Sequence, residues 1–186
     1  AFAEGLDVTW VEADINDWKS DTPPDLIFSN AALHWCDDHA SLLPGLVGEL
    51  APQGVLAVQM PRNHEAPSHV CMTEAAMAGP WRSKLEPLLR PGPVALPEKY
   101  YDILSTCCWK IDIWETEYLQ LLDGENPIVA WTSSTALKPL LDALEEGEER
   151  NAFEQAYSER INKAYPVRAD GKTLFPFRRI FMIAQT

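Results

Sequence analysis

The apolar positions of the first sixty residues fall into short runs separated by polar breaks. VTWVEAD alternates and is rich in β-formers, which predicts a strand at 8–13 ending on Asp14. AFAEGLD ahead of it reads as a helix end, with Gly5 in the stop position. NDWKSDTPPD is a proline-marked connection, and LIFSN after it is a continuous apolar strand of the kind buried on both faces of a parallel sheet. Asp37-Asp38 then cap a helix through HASLLPGLVGEL, Pro52-Gln53-Gly54 stop it, and VLAVQMP is the next buried strand. This strand–helix–strand rhythm predicts an α/β fold with a doubly wound parallel sheet.

After Pro61 the rhythm changes. Residues 64–108 read as a helical insertion broken by prolines at 67, 80, 87, 91, 93 and 97. WKIDIWETEYLQLL (109–122) alternates over a long stretch and predicts an antiparallel strand. Residues 127–164 read as two helical segments, and FRRIFMIAQ (177–185) as a last strand. No repeat or low-complexity segment interrupts the chain. A length of 186 residues suits one domain, with 1–63 as its Rossmann-like part and 64–186 as substrate-side helices and final antiparallel strands.

Charge narrows the partners. A net charge of -13 argues against a nucleic-acid binder, which would carry a basic face. Any anionic small substrate must therefore be met by locally placed arginines. No apolar run is long enough for a membrane span, and nothing reads as a signal peptide. Cys36, Cys71, Cys107 and Cys108 show no metal or CxxC spacing and are expected to be free thiols in a reducing cytoplasm. Ala1 rather than Met opens the sequence, as expected of a fragment.

Candidate chemistry lies at the strand ends, because ligands of open α/β sheets sit beyond the carboxyl ends of the strands. Three such ends are readable: Asp14-Ile15, Asn30-Ala31 and Met60-Pro61-Arg62-Asn63. A carboxylate there suits an amine or hydroxyl of a nucleoside, and an amide suits a polar tail; a loop cap and a turn residue are the plain alternatives. His34-Trp35 could wall a pocket or pack in the core, as could Tyr100-Tyr101, Trp114 and Tyr118. No nucleophile–base set, Walker loop or GxGxxG is present, and His34, His39, His64 and His69 lack metal-ligand partners at useful spacing. Adjacent strand residues face opposite ways, so at most one of Arg178 and Arg179 enters a given pocket. Arg82 and the EEGEER run read as surface charge.

EADINDW, DLIFSNAALHWCDDH and LAPQGVLAVQMPRN together resemble class I S-adenosylmethionine-dependent methyltransferases. YYDILS, KIDIWETEY, ALKPLLDAL and AYPVRADGKTLFPFRRIFMIA extend the resemblance over essentially the whole chain. They direct it to the branch that esterifies carboxylates of small polyacids such as trans-aconitate. The first half alone fits malonyl-carrier-protein or ubiquinone-pathway methyltransferases equally well.

The resemblance implies S-adenosyl-L-methionine as cofactor, with Asp14 and Ile15 at its adenine, Asn30 and Ala31 at its methionine moiety, and His34 and Trp35 beside the transferring methyl. It also implies a strand order of 3-2-1-4-5-7-6, and a first strand, glycine-rich loop, first helix and second strand that would precede Ala1. Two of those strands would separate 8–13 from 26–30. A carboxylic acid is already ionised at pH 7, so its methylation needs no general base and no catalytic side chain beyond those that orient it. The candidates for gripping a polycarboxylate are Arg62, Arg178 and Arg179, with Asn63, Tyr118 and His34 as neutral donors. Two alternatives stand beside this expectation: a methyltransferase for another small acceptor, and a methyltransferase-like module without cofactor binding. Oligomeric state is not legible.

Overall fold

The computed structural model describes residues 7–186; the expected helix end at Gly5 lies outside them. The architecture is mixed α/β around an open four-stranded sheet. Its strands are β1 (Leu26–Asn30), β2 (Val55–Pro61), β3 (Lys110–Leu122) and β4 (Thr173–Gln185), in the order β1-β2-β4-β3. β1 and β2 are parallel, joined through helix α1 (His39–Gly48), while β4 runs antiparallel to both β2 and β3. The helices after β2 are α2 (Pro67–Ala78), α3 (Arg82–Leu85) and α4 (Pro97–Leu104). Those between β3 and β4 are α5 (Pro127–Ser133), α6 (Lys138–Asp142) and α7 (Glu148–Ala164).

Local chemistry accounts for most boundaries. The Asp38 carboxylate accepts the Ser41 N–H at 3.2 Å and caps α1. α2, α4, α5 and α6 carry proline in their first turn, where its missing N–H costs nothing. The first of the two expected helical segments, from Pro127, is itself broken, because Thr132 and Ser133 turn their hydroxyls back onto carbonyls one turn earlier and the chain restarts at Lys138. β4 begins at Thr173, four residues before the expected Phe177, since its ladder with β3 continues to Leu122.

Alternation along the strands divides the sheet into two faces. Leu56, Val58, Met60, Ile180, Met182 and Ala184 face α1 and α4 and form one core with Leu33, Leu43, Tyr100 and Leu104. The opposite face carries the odd-numbered residues of β4. At the Phe175 end it is covered by a helical lobe of α2, α3 and α5–α7, centred on Trp81, Phe153 and Tyr157. That lobe packs tightly. A Cβ on Gly79 would fall 2.2 Å from the Trp81 ring, so only glycine lets that ring lie flat against the end of α2.

Two expectations are corrected here. Residues 8–13 form no strand: they are exposed, and no described strand pairs with them, so their alternation has no ladder to join. β1 is not buried on both faces. Among the described residues it pairs only with β2, and Leu26 and Phe28 stand 55% and 69% exposed on the uncovered face.

Candidate functional site

Parallel pairing sets the carboxyl ends of β1 and β2 side by side, with Asn30 opposite Gln59. β4 passes the same end in the opposite direction and places Arg179 opposite Pro61. Three segments thus converge where an open α/β sheet binds ligands.

The chain leaves β1 abruptly. Ala31 adopts φ 51°, a left-handed conformation costly for a residue with a Cβ, while its N–H donates to the Gln59 carbonyl at 2.9 Å. Strain of this kind persists where the surrounding structure enforces it, and it clusters at ligand sites. The turn delivers a short 3-10 helix, Leu33–Trp35, anchored by the wholly buried Leu33. His34 points inward from it, whereas Trp35 stands 61% exposed beside it. Burial first, then the neighbouring His64, Arg179 and His39, lower the His34 pKa to about 4.

His64 and His69 continue this wall. Their ring centroids are 5.0 Å apart, and burial lowers both pKa values, that of His69 to about 4 with His64 contributing. Gly92 lies against His64 so closely that a Cβ would meet its ring carbon at 2.8 Å. All three imidazoles are therefore neutral at pH 7.

Two buried amides complete the arrangement. Gln59 accepts from Arg179 Nη1 at 3.0 Å through Oε1, and Asn63 accepts the Arg178 backbone N–H at 2.7 Å through Oδ1. These contacts fix the amide orientations and leave the NH₂ groups turned away from them. Among the described residues, Gln59 Nε2, Asn63 Nδ2, His34 Nδ1 and Ser29 Oγ are buried without a hydrogen-bond partner. Gln59 and Asn63 lie at or just past the end of β2 and His34 in the turn after β1, while Ser29, opposite Val58, faces the α1 core on the other side of the sheet. An orphaned buried polar group costs about 1–3 kcal/mol, so the gathering of Gln59, Asn63 and His34 near Arg179 marks ground prepared for a ligand.

The arginines have separate fates. Arg179 lies over the Phe177 ring, 4.9 Å from its centroid, and has no carboxylate partner among the described residues. Arg178 projects the other way to Glu117 at 3.3 Å. Arg62, at the expected strand end, is held through Nε and Nη2 by Glu115, with its side chain only 8% exposed. That pair raises its pKa and ties β2 to β3. Arg82 pairs with Glu86 on the surface at 3.0 Å.

Asp14 ends an exposed loop and accepts from both the Asn16 backbone N–H, at 2.9 Å, and the Asn16 side chain, at 2.8 Å; these contacts lower its pKa. Ile15 and Trp18 line a cleft of about 240 Å³ against Ser41, Leu42 and Leu46 of α1. Tyr118 stands half-exposed on β3 opposite Phe177, on the face that carries Arg179. The positions the resemblance assigns to the cofactor, Asp14, Ile15, Asn30 and Ala31, offer a carboxylate, an apolar contact, a strand-end amide and a tight turn, side-chain types compatible with a nucleoside carrying an amino-acid tail. Among the described residues no His/Cys/Asp/Glu group is arranged to hold a metal ion, and no helix is long and apolar enough to cross a membrane.

Sequence reasoning did not single out Gln59 or Ser29, and it considered His64 and His69 only as metal ligands, which it set aside. Gln59 did carry a signal, as the one polar residue inside the apolar run VLAVQMP.

No family model matches the chain. It is 45% identical over 177 residues to trans-aconitate 2-methyltransferase of Azoarcus sp. (strain BH72), an alignment covering 95% of this chain and 69% of that protein. It is 46% identical over 179 residues to the enzyme of the same name from Acidovorax ebreus (strain TPSY), covering 96% and 69%. A third relative of that name, from Yersinia pestis (strain Pestoides F), is 43% identical over 177 residues, covering 95% and 68%. Among solved structures, a candidate methyltransferase from Bacillus halodurans C-125 superimposes with TM-score 0.50 at 13% identity, over 97% of this chain and 78% of that one. This likeness fixes the fold as that of the Rossmann-like methyltransferases.

Proposed function

Because the chain belongs to the trans-aconitate 2-methyltransferase family, we propose that it methylates a carboxylate oxygen of trans-aconitate or a closely similar small polyacid, using S-adenosylmethionine. The observation that carries the acceptor class is Arg179: a guanidinium without a carboxylate partner among the described residues, steadied by Gln59 and Phe177 near the orphaned side chains of Asn63 and His34. In a chain of net charge -13, a cation left free at a strand's carboxyl end is placed for an anion.

S-adenosylmethionine, when bound, supplies an electrophilic sulfonium methyl. Asp14, Ile15, Asn30 and Ala31 are the residues that would hold it. The chain's own work is to bind and orient the acceptor, because a carboxylate is already a nucleophile at pH 7. Arg179 grips a carboxylate remote from the reacting one with a planar fork. Gln59 Nε2 and Asn63 Nδ2 donate to further oxygens of the same polyacid, and the Tyr118 hydroxyl is a donor at the rim.

His34 and Trp35 flank the reacting carboxylate. With a pKa near 4, His34 remains uncharged at pH 7, so it donates a hydrogen bond without neutralising the nucleophile. Arg62 holds β3 in place instead of binding the acceptor. In this reading residues 1–63 supply the cofactor side and 64–186 the acceptor side of one domain, and the free thiols suit a reducing cytoplasm.

The test is methyl transfer from S-adenosylmethionine to a panel of mono-, di- and tricarboxylates, amines and phenols. Turnover of trans-aconitate or another polycarboxylate well above every monocarboxylate supports the reading. Preference for an amine or phenol refutes it.

A further inference from the structure

A buried relay lies in the core behind the wall that carries His34 and His64. His39, at the start of α1, places Nε2 2.8 Å from the Leu33 carbonyl oxygen. A carbonyl cannot donate, so Nε2 bears the hydrogen. In the neutral ring Nδ1 is then an acceptor, and it lies 2.8 Å from the Tyr100 hydroxyl on α4, which donates to it. The same hydroxyl oxygen accepts the Ala95 N–H at 3.1 Å. Tyr100 is wholly buried and His39 nearly so, and burial pushes the Tyr100 hydroxyl up to about 12. The hydroxyl is thus a fixed strut at any working pH.

Both ends of this relay touch the candidate site. Leu33 immediately precedes His34 in the 3-10 helix. Ala95 lies in the 91–96 segment, whose Gly92 abuts the His64 ring. One hydroxyl thus links the two segments that carry these imidazoles or abut them.

We propose that His39 and Tyr100 are positioning residues: through the chain Ala95 N–H to Tyr100 to His39 to the Leu33 carbonyl, they hold His34 and His64 at the distance the acceptor requires. The inference rests on the proposed function for its kinetic readout and on geometry alone for its spectroscopic one. Tyr100→Phe removes one oxygen and leaves the ring in its core. His39→Leu removes both contacts, whereas His39→Gln can keep a donor for the Leu33 carbonyl. Leu144→Ala, in the separate core of the helical lobe, serves as a control that loosens packing away from the relay.

The experiment combines steady-state kinetics on trans-aconitate with NMR of the histidine rings. Tyr100→Phe and His39→Leu should lower kcat/KM about tenfold, chiefly through KM, and shift the His34 and His64 resonances. Cofactor affinity should stay within about twofold, and His39→Gln should recover most of the loss. Leu144→Ala should lower thermal stability while leaving the acceptor KM and both resonances at wild-type values. Wild-type KM and unshifted resonances in Tyr100→Phe and His39→Leu would overturn the proposal. A wild-type protein that methylates no polycarboxylate would refute the function instead, and the resonances alone would then decide on the relay.

Discussion

Replacing Arg179 by alanine is the most informative perturbation of the acceptor site. The guanidinium carries five N–H donors, of which the structure engages Nη1 with Gln59 at 3.0 Å. The others are left for a carboxylate fork. Opposite unit charges about 4 Å apart attract by about 4 kcal/mol at an effective dielectric near 20. Lost hydration takes back part of this, and charged hydrogen bonds contribute about 1.5–3 kcal/mol net. Arg179→Ala should therefore lower kcat/KM for trans-aconitate by roughly 10- to 150-fold. Arg179→Lys should recover only part, since a point charge cannot replace the fork. Arg178→Ala should stay within about twofold, because that side chain is exposed and faces Glu117. Steady-state kinetics should run on trans-aconitate and a monocarboxylate side by side, since the advantage of the polyacid should shrink in Arg179→Ala. If Arg179→Ala retained wild-type kcat/KM on every acceptor, or if Arg178→Ala lost more, the grip assigned to Arg179 would be wrong.

Arg62→Ala leaves Glu115 partly buried and unpaired; between the surface and buried limits for ion pairs this costs roughly 1–2 kcal/mol. The melting temperature should then fall by about 2–8 °C, with the acceptor KM little changed in folded protein; a large KM effect without loss of stability would return Arg62 to the site. Asp14→Ala should raise the cofactor dissociation constant about tenfold while the acceptor KM holds; an unchanged constant by calorimetry would leave Asp14 as a turn residue only. His34 and His69 have folded pKa values near 4, below the ordinary 6.5. Between those values the unfolded chain binds the extra protons, so their contribution to stability is complete above pH 6.5 and is lost as pH falls toward 4. A His34→Gln/His69→Gln variant should therefore lose less stability than wild type between pH 7 and pH 5 in urea titrations. Equal losses would contradict the shifts.

The elements legible in the sequence are those whose pattern and partner agree. VLAVQMP is a strand because β1 and β4 flank it, and KIDIWETEYLQLL because β4 runs its full length. VTWVEAD has the same alternation, but a strand exists only in a ladder, and no described strand pairs with it. LIFSN reads as two-sided because all its apolar residues look alike in sequence, yet the fold covers one face and leaves Phe28 in the open.

At the candidate site, the rule of strand ends named Asn30, Ala31 and Asn63, the resemblance named His34, and the period of two allowed only one arginine of the final pair to face it. Which one was hidden, because it depends on the register that sets Arg179 opposite Pro61. The fate of Arg62 was equally hidden: its partner Glu115 lies 53 residues away on a strand that joins the sheet from the far edge. Likewise the His39–Tyr100 contact spans 61 residues and leaves no local mark.

The central claim is that this chain methylates a carboxylate of a small polyacid. Its most direct test follows a labelled methyl group from S-adenosylmethionine into trans-aconitate, with the product identified by mass and by release of labelled methanol in mild base. The account predicts a monomethyl ester that forms with wild-type protein and is strongly reduced with Arg179→Ala. A labelled product stable to base, formed on an amine or phenol while trans-aconitate stays unlabelled, would contradict it.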